Sequence, residues 1–388
     1  MDYTSKYFEL KSIFNQTESR ISVDAEMEIV NLPFNSESYW TRIMDDQEQY
    51  AKQQLNLGVP DSHYFENNHF NYSVFVPRKQ KQYSKAIVML HGLNERYWEK
   101  YLPWAYYLAL QTQRPVILFP IAFHMNRGPV SWKNAKELAP LLTIRKKNFD
   151  TQSLTFANVA LSMRLTDDPL RFLKSGHQTA EDLSLLIQQM EQGLIPGFTK
   201  GTQTDIFAYS IGAFVSQIMF LANSKGQLSN SKLFLFCGGA FFNEMNGVSK
   251  LIMDNVAFNS IWKYYTSSIN IALEENKLLN SLITEFPLGK AFYAMLQECN
   301  NKPWREEILG SVLKQIYAVT LKNDKVIPSL GTEKFLGFPK NRQTPNEIID
   351  FPYDYSHEVP FPISGKTNYL LVNQCFTSVF SKASQFLA

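Results

Sequence analysis

Cysteine is scarce in this chain: three in 388 residues, Cys237, Cys299 and Cys375, odd in number and widely spaced. Neither a disulfide framework nor a paired-thiolate metal site can be assembled from that spacing. The three therefore read as small buried hydrophobes in a reducing compartment, with the cytoplasm as the expected location. An excess of one charge sign is also lacking. Thirty-eight Lys and Arg against 36 Asp and Glu leave a formal +2, with neither a basic surplus for nucleic acid or anionic membrane nor an acidic tail. The opening MDYTSKYFELKSIF has no basic segment leading into an unbroken apolar run, so no secretory leader is expected. Glycine-rich phosphate loops are missing, both GxGxxG and the GxxxxGK type, and no cofactor is expected. His63 and His69 lie six apart, without the spacing of a helical ligand pair, and no metal is expected either. The uncharged stretch 206–224 is long enough to cross a bilayer. It contains Ser210, Gly212, Ser216, Gln217 and Asn223, and reads instead as a buried strand turning into a buried helix.

What is present is a large apolar supply, 45% of residues, which suits a globular protein with a real core. The length exceeds one ordinary domain, so a large domain with an insertion, or two domains, is the natural reading. Short apolar runs at 70–76, 86–90, 116–120, 205–208, 233–237, 316–321 and 347–351 are continuous rather than alternating. That is the pattern of strands covered on both faces in a parallel sheet. Helical periodicity falls between them at 97–111, 179–192, 213–222 and 367–386, with a further strand at 25–32 and a polar helical stretch at 39–57. Strands alternating with helices predict an open α/β sheet. Residues 61–243 and 315–388 are the expected core. Residues 244–314 form a helical cap or lid insertion, 124–176 a smaller insertion, and 1–60 an extension whose role the sequence leaves open.

The chemistry concentrates in Thr204-Asp205-Ile206-Phe207-Ala208-Tyr209-Ser210-Ile211-Gly212-Ala213-Phe214. A strand, a sharp turn and a helix are expected here, with the serine strained and its hydroxyl raised above the sheet edge. Ser-x-Gly occurs three times, at Ser210, Ser224 and Ser329, but only Ser210 has a strand before it and a helix after it. A serine needs a base within hydrogen-bond reach. Of six histidines, His357 sits in a polar turn after the last strand, where a base belongs in such a sheet. Asp324, in the turn that ends 316–321, suits the carboxylate that would fix the imidazole tautomer; Asp350 and Asp354 are nearby rivals. Serine, aspartate and histidine thus follow one another in the chain, each just past a different strand. After 86–90, His91 and Gly92 open a loop in which glycine permits a turn of the backbone toward the site. The N–H groups of Leu93 and Ile211 are the expected oxyanion donors, and His91 is read as structural.

Strand–His-Gly, Ala-x-Ser-x-Gly, strand–Asn-Asp-Lys-Val-Ile-Pro and strand–Ser-His-Glu together resemble the α/β-hydrolase superfamily over roughly residues 70–388, setting the insertions aside. Ala208 stands where the usual elbow has glycine. The resemblance implies a Ser–His–Asp triad acting through an acyl-enzyme without a cofactor, and names no subfamily. The aromatic residues of the 244–314 segment, Phe258, Trp262, Tyr264, Tyr265, Phe286 and Phe292, suggest a partly apolar small-molecule substrate and favour a carboxylic ester. Thioester hydrolysis, acyl transfer and peptide hydrolysis on the same triad stay open, as does a non-catalytic binding protein.

Overall fold

The computed structural model describes residues 1–38, 60–223, 226–337, 346–363 and 368–388. The helical stretch expected at 39–57 and the serine at 224 lie outside them. Among the described residues nine strands form one sheet: β1 Arg20–Ser22, β2 Met27–Asn35, β3 His69–Pro77, β4 Tyr83–Leu90, β5 Val116–Leu118, β6 Phe198–Tyr209, β7 Leu233–Phe236, β8 Ile316–Leu321 and β9 Asn346–Ile349. Their order is β1-β2-β3-β5-β4-β6-β7-β8-β9. From β5 to β9 every pairing is parallel, whereas β1, β2 and β3 pair antiparallel in succession and β3 pairs antiparallel with β5. This mixed sheet, with helices on both faces, has the winding of the α/β-hydrolase fold.

Period-two alternation of apolar residues assigns each helical layer to one face of the sheet. Val88, Leu90, Ile206, Ala208, Leu233 and Leu235 point into the layer of helices Leu170–Glu191 and Ile211–Ala222. Ile87, Met89, Phe207, Tyr209, Phe234 and Phe236 point into the layer of helices Leu102–Thr112 and Tyr369–Leu387. Adjacent strands β4 and β6 therefore send their following helices to opposite faces. A crevice opens between their carboxyl ends, which is where ligands bind in sheets of this kind.

The first 38 residues, of which the sequence marks only a strand at 25–32, belong to this architecture, and β2 is that strand. β2 pairs with β3 from Met27↔Pro77 to Asn35↔His69, and helix Tyr3–Ile13 packs on helices Leu102–Thr112 and Tyr369–Leu387. Tyr3 stacks on Phe376 with ring centroids 4.5 Å apart. β6 begins at Phe198, seven residues before the apolar run that signals it, because Phe198, Gln203 and Thr204 pair with β4 around an irregularity that leaves Lys200 and Gly201 exposed. The cysteine expectation needs correcting. Cys237 is buried, but Cys375 is only partly so, and Cys299 is exposed in the turn that follows helix Pro287–Leu296.

Two long segments interrupt the alternation. Between β5 and helix Leu170–Glu191 come helices Ala135–Asn148 and Val159–Asp167; between β7 and β8 come helices Asn255–Lys263, Ile269–Glu275, Lys277–Glu285, Pro287–Leu296 and Lys302–Val312. They join each other. Helix Val159–Asp167 packs on helix Asn255–Lys263, and Asp254 ties the junction. Its carboxylate caps the latter helix at the Ala257 N–H, 2.9 Å, and accepts both Nε and, at 2.7 Å, Nη2 of Arg145. Asp254 is fully buried and Arg145 is 2% exposed. Removing one member of such a pair leaves the other charge buried and uncompensated. Asp254→Ala is therefore expected to lower unfolding free energy by about 3–5 kcal/mol, and the double variant Arg145→Met/Asp254→Leu by less than either single change. Urea titrations of the three variants measure this, and a single-variant loss below about 1 kcal/mol would mean that the pair does not hold the insertions together.

Candidate active site

The turn between β6 and helix Ile211–Ala222 is tight for a steric reason. A Cβ on Gly212 would lie 2.7 Å from Leu90 Cβ and 2.9 Å from the His91 carbonyl oxygen, and one on Gly238 would lie 2.4 Å from Ala213 Cβ. With no side chain at either position, helix and strands close up, and the Gly212 N–H donates to His91 O at 3.1 Å. The residue at the apex, Ser210, is driven to φ 58°, ψ −121°, a region costly for any residue with a Cβ. Its hydroxyl stands at the helix N-terminus, where the first N–H groups lack intrahelical partners and the helix dipole favours negative charge.

His357 lies in the turn after β9, and its Nε2 is 2.6 Å from Ser210 Oγ. Its Nδ1 is 2.7 Å from Asp324 Oδ2, while the other carboxylate oxygen of Asp324 accepts the N–H groups of Val326 and Ile327, each at 2.9 Å. Asp324 is held in the turn after β8 by those two bonds. An ionised carboxylate at Nδ1 requires the proton there, which leaves the Nε2 lone pair facing the serine O–H. All three side chains are buried, at 4%, 3% and 5% exposure for Ser210, His357 and Asp324. Asp350, the nearby rival, instead meets Asn323, Tyr355 and Lys322.

The loop after β4 completes the floor. His91 is fully buried; its Nε2 accepts the Ile121 N–H at 2.9 Å, so Nδ1 carries the proton and donates to Gly92 O at 2.9 Å. Burial, reinforced by neighbouring His124, keeps this imidazole neutral, with its pKa well below the usual histidine range. The Gly92 N–H is taken by Tyr101 Oη at 2.9 Å. The next amide, that of Leu93, and that of Ile211 belong to residues that line one cavity together with Ser210. The remaining walls are apolar, from Phe172, Phe242 and Val326 on the sheet side to Ile252, Phe258 and Ile261 of the second insertion.

Of the six aromatics expected to line a pocket, Phe258 alone lines this cavity. Tyr265 and Phe292 pack into the core with Phe172, and Trp262 and Phe286 are 40% and 38% exposed on the outer surface. Helical spacing could not say which side of each insertion helix faces the sheet. Other contributors lacked a sequence signal. Tyr209 donates its hydroxyl to His357 O and stacks on the imidazole, centroids 5.5 Å apart at 19°. Lys100 sits 4.6 Å above the Tyr209 ring and donates to Glu358 O at 2.9 Å. Ser249 donates to the Glu358 carboxylate, and Asn94 donates at 2.7 Å to both Ala157 O and Leu251 O. These contacts tie the His357 turn and the β4 loop to both insertions. Cys237, with φ 49° and fully buried, is an unreactive thiol, its pKa pushed well up by burial and then by the Asp324 charge. Among the described residues, no three His, Cys, Asp or Glu side chains gather where one metal ion could be held.

The positive φ at Ser210 has a measurable consequence. Ser210→Ala and Ser210→Gly lose the same hydroxyl, but only glycine adopts this backbone without strain, so the glycine variant is expected to be more stable by about 1 kcal/mol. Chemical denaturation of the two variants decides it; equal stabilities would mean a relaxed turn.

Several solved structures are distantly similar to this chain. A cold-adapted esterase from an Arctic intertidal metagenomic library, solved as a PEG-bound complex, is 9% identical with a TM-score of 0.44, covering 97% of this chain and 100% of that one. An esterase from Pyrobaculum calidifontis is 10% identical with a TM-score of 0.45, covering 100% and 91%. A thermostable esterase from Pseudomonas putida ECU1011 is 10% identical with a TM-score of 0.44, covering 100% and 88%. No curated protein matches the chain. One family model does, over residues 1–388, and the chain accordingly belongs to that family, DUF6051, a family of unknown function.

Proposed function

We propose that this protein is a serine hydrolase that cleaves a carboxylic ester through an acyl-enzyme, with Ser210 as nucleophile, His357 as general base and Asp324 holding the imidazole. The observation that carries this reading is the continuous chain of short hydrogen bonds, Ser210 Oγ to His357 Nε2 at 2.6 Å and His357 Nδ1 to Asp324 Oδ2 at 2.7 Å. A buried, strained serine in that contact has no evident structural use, since a hydrogen-bonded imidazole offers stability that any satisfied polar pair would match.

In the first half-reaction Ser210 Oγ attacks the ester carbonyl carbon while its proton passes to His357 Nε2. The carbonyl oxygen becomes negative and is received by the amides of Leu93 and Ile211, each such donor contributing about 3 kcal/mol to the transition state. Collapse breaks the bond to the alkoxy oxygen, which takes the proton from His357, and the alcohol leaves. Water then repeats the sequence on the acyl-serine, with His357 again taking and returning a proton. Throughout, Asp324 keeps the proton on Nδ1 and stabilises the transient imidazolium. The apolar walls above Ser210 suit a hydrocarbon portion of the substrate, and the two insertions act as the cap that excludes bulk water.

A fluorophosphonate probe should label the folded protein and leave Ser210→Ala unlabelled, and that variant should lose ester hydrolysis. Asp324→Asn, which presents the wrong tautomer partner, should lower kcat by about 10⁴. Steady-state rates on a series of 4-nitrophenyl esters, with thioester and amide analogues alongside, measure both. Hydrolysis persisting in Ser210→Ala at the parent rate would overturn the assignment.

A further inference from the structure

Beside the apolar cavity over Ser210 lies a second one, and Leu93 and Phe172 line both. Its character is different. Five charged side chains line it: Glu95, Arg96, Lys133, Arg164 and Arg171. Three of them are compensated within the protein. Arg164 meets Asp61 at 2.7 Å, Arg171 meets Asp61 at 3.5 Å and Asp167 at 3.2 Å, and Glu95 is bound by Lys100. Arg96 and Lys133 are not paired with an acid, although Lys133 Nζ lies 5.3 Å from the centre of the Tyr97 ring. Among the described residues neither has a carboxylate partner; Arg96 Nη2 donates to Phe156 O at 3.0 Å and Lys133 Nζ to Met125 O at 2.7 Å. Both are half-buried. Burial pulls the Lys133 pKa below the usual lysine range, and the neighbouring Arg96 charge pulls it further. Two like charges partly withdrawn from water are unfavourable until an anion joins them.

A third group in the same cavity lacks a partner. His124 is 5% exposed; its Nδ1 donates to Ala122 O at 2.8 Å, and its Nε2 is buried without a hydrogen-bond partner among the described residues. Burial holds its pKa at about 4, so at neutral pH Nε2 is a bare acceptor. A buried acceptor left empty costs free energy that a ligand hydroxyl or N–H would restore.

We propose that the substrate carries an anionic group, carboxylate or phosphate, held by Arg96 and Lys133 in this second cavity, while its apolar part occupies the cavity over Ser210. A hydrogen-bond donor on the anionic arm meets His124 Nε2. The inference rests on the serine-hydrolase reading and supplies its substrate class: an ester with one apolar and one anionic arm.

The test compares three 4-nitrophenyl esters of equal acyl length, ending in a methyl group, a carboxylate or a phosphate. Each is run on the parent protein, Arg96→Gln, Lys133→Gln and the double variant. The parent should favour at least one anionic ester over the neutral one by tenfold or more in kcat/KM, and the comparison of carboxylate with phosphate tells which anion fits. The double variant should lose most of that preference through KM. Free suberate should slow fluorophosphonate labelling of the parent and have less effect on the double variant, a reading of the anion site that needs no turnover. Serine-dependent hydrolysis with no anionic preference, or a preference that survives in the double variant, overturns the anion site alone. Absence of both labelling and turnover overturns the underlying hydrolase reading and the anion site with it.

Discussion

Helix Ile211–Ala222 must approach the end of β4 to within contact of backbone, and the rest of the site follows from that demand. Hydrogen atoms at Gly212 and Gly238 occupy space in which a methyl group would collide with Leu90, His91 or Ala213. The chain reverses direction in so little room that Ser210 is pushed to φ 58°. Its hydroxyl then leaves the sheet at the end of β6, where Ser210, Ile211 at the helix N-terminus and Leu93 of the β4 loop line one cavity. One steric constraint thus sets both the position of the hydroxyl and the helix N-terminus behind it.

The imidazole reaches that oxygen because β6, β7, β8 and β9 are parallel and in register, from Phe207↔Phe234 through Phe234↔Tyr317 to Thr320↔Ile348. Parallel strands deliver all their following turns to the same rim. Asp324 leaves β8 there and His357 follows β9 there, so two residues 33 apart in sequence meet at 2.7 Å. Tyr209 and Lys100 brace the histidine turn from below, and Ser249 braces it from the insertion side through Glu358. Both insertions also grip the β4 loop at Asn94. Contacts spread over five segments therefore hold one short hydrogen-bonded chain, which is how precise geometry survives in a site built largely on turns.

Much of the architecture was legible because it rests on local pattern. Continuous apolar runs mark β4, β7 and β8 to within a few residues, since strands covered on both faces cannot tolerate polar side chains. Ser210, Asp324 and His357 each stood just beyond such a run. Less could be read where polar or long-range factors decide. β1 and helix Tyr3–Ile13 carry mixed composition, and the strand marked at 25–32 gave no sign of its partner; they belong to the sheet and one helical layer because β3 and Phe376 receive them. The outward turn of Trp262 and Phe286 and the exposure of Cys299 depend on how the insertion helices rotate against the core, which periodicity leaves undetermined.

By itself, then, the sequence determined the order and burial of the central strands, the serine turn with its small flanking residues, and which aspartate and histidine end the later strands. These are near-neighbour properties, set by sterics and hydrophobicity within a window of a dozen residues. Only the tertiary structure decided that Asp254 meets Arg145, that neither Arg96 nor Lys133 has a carboxylate partner among the described residues, and that the cavity over Ser210 is walled by Ile252, Phe258 and Ile261. The reason is electrostatic and geometric. A charge's partner, or lack of one, is fixed by what lies within a few ångströms in space, and no spacing along the chain encodes that.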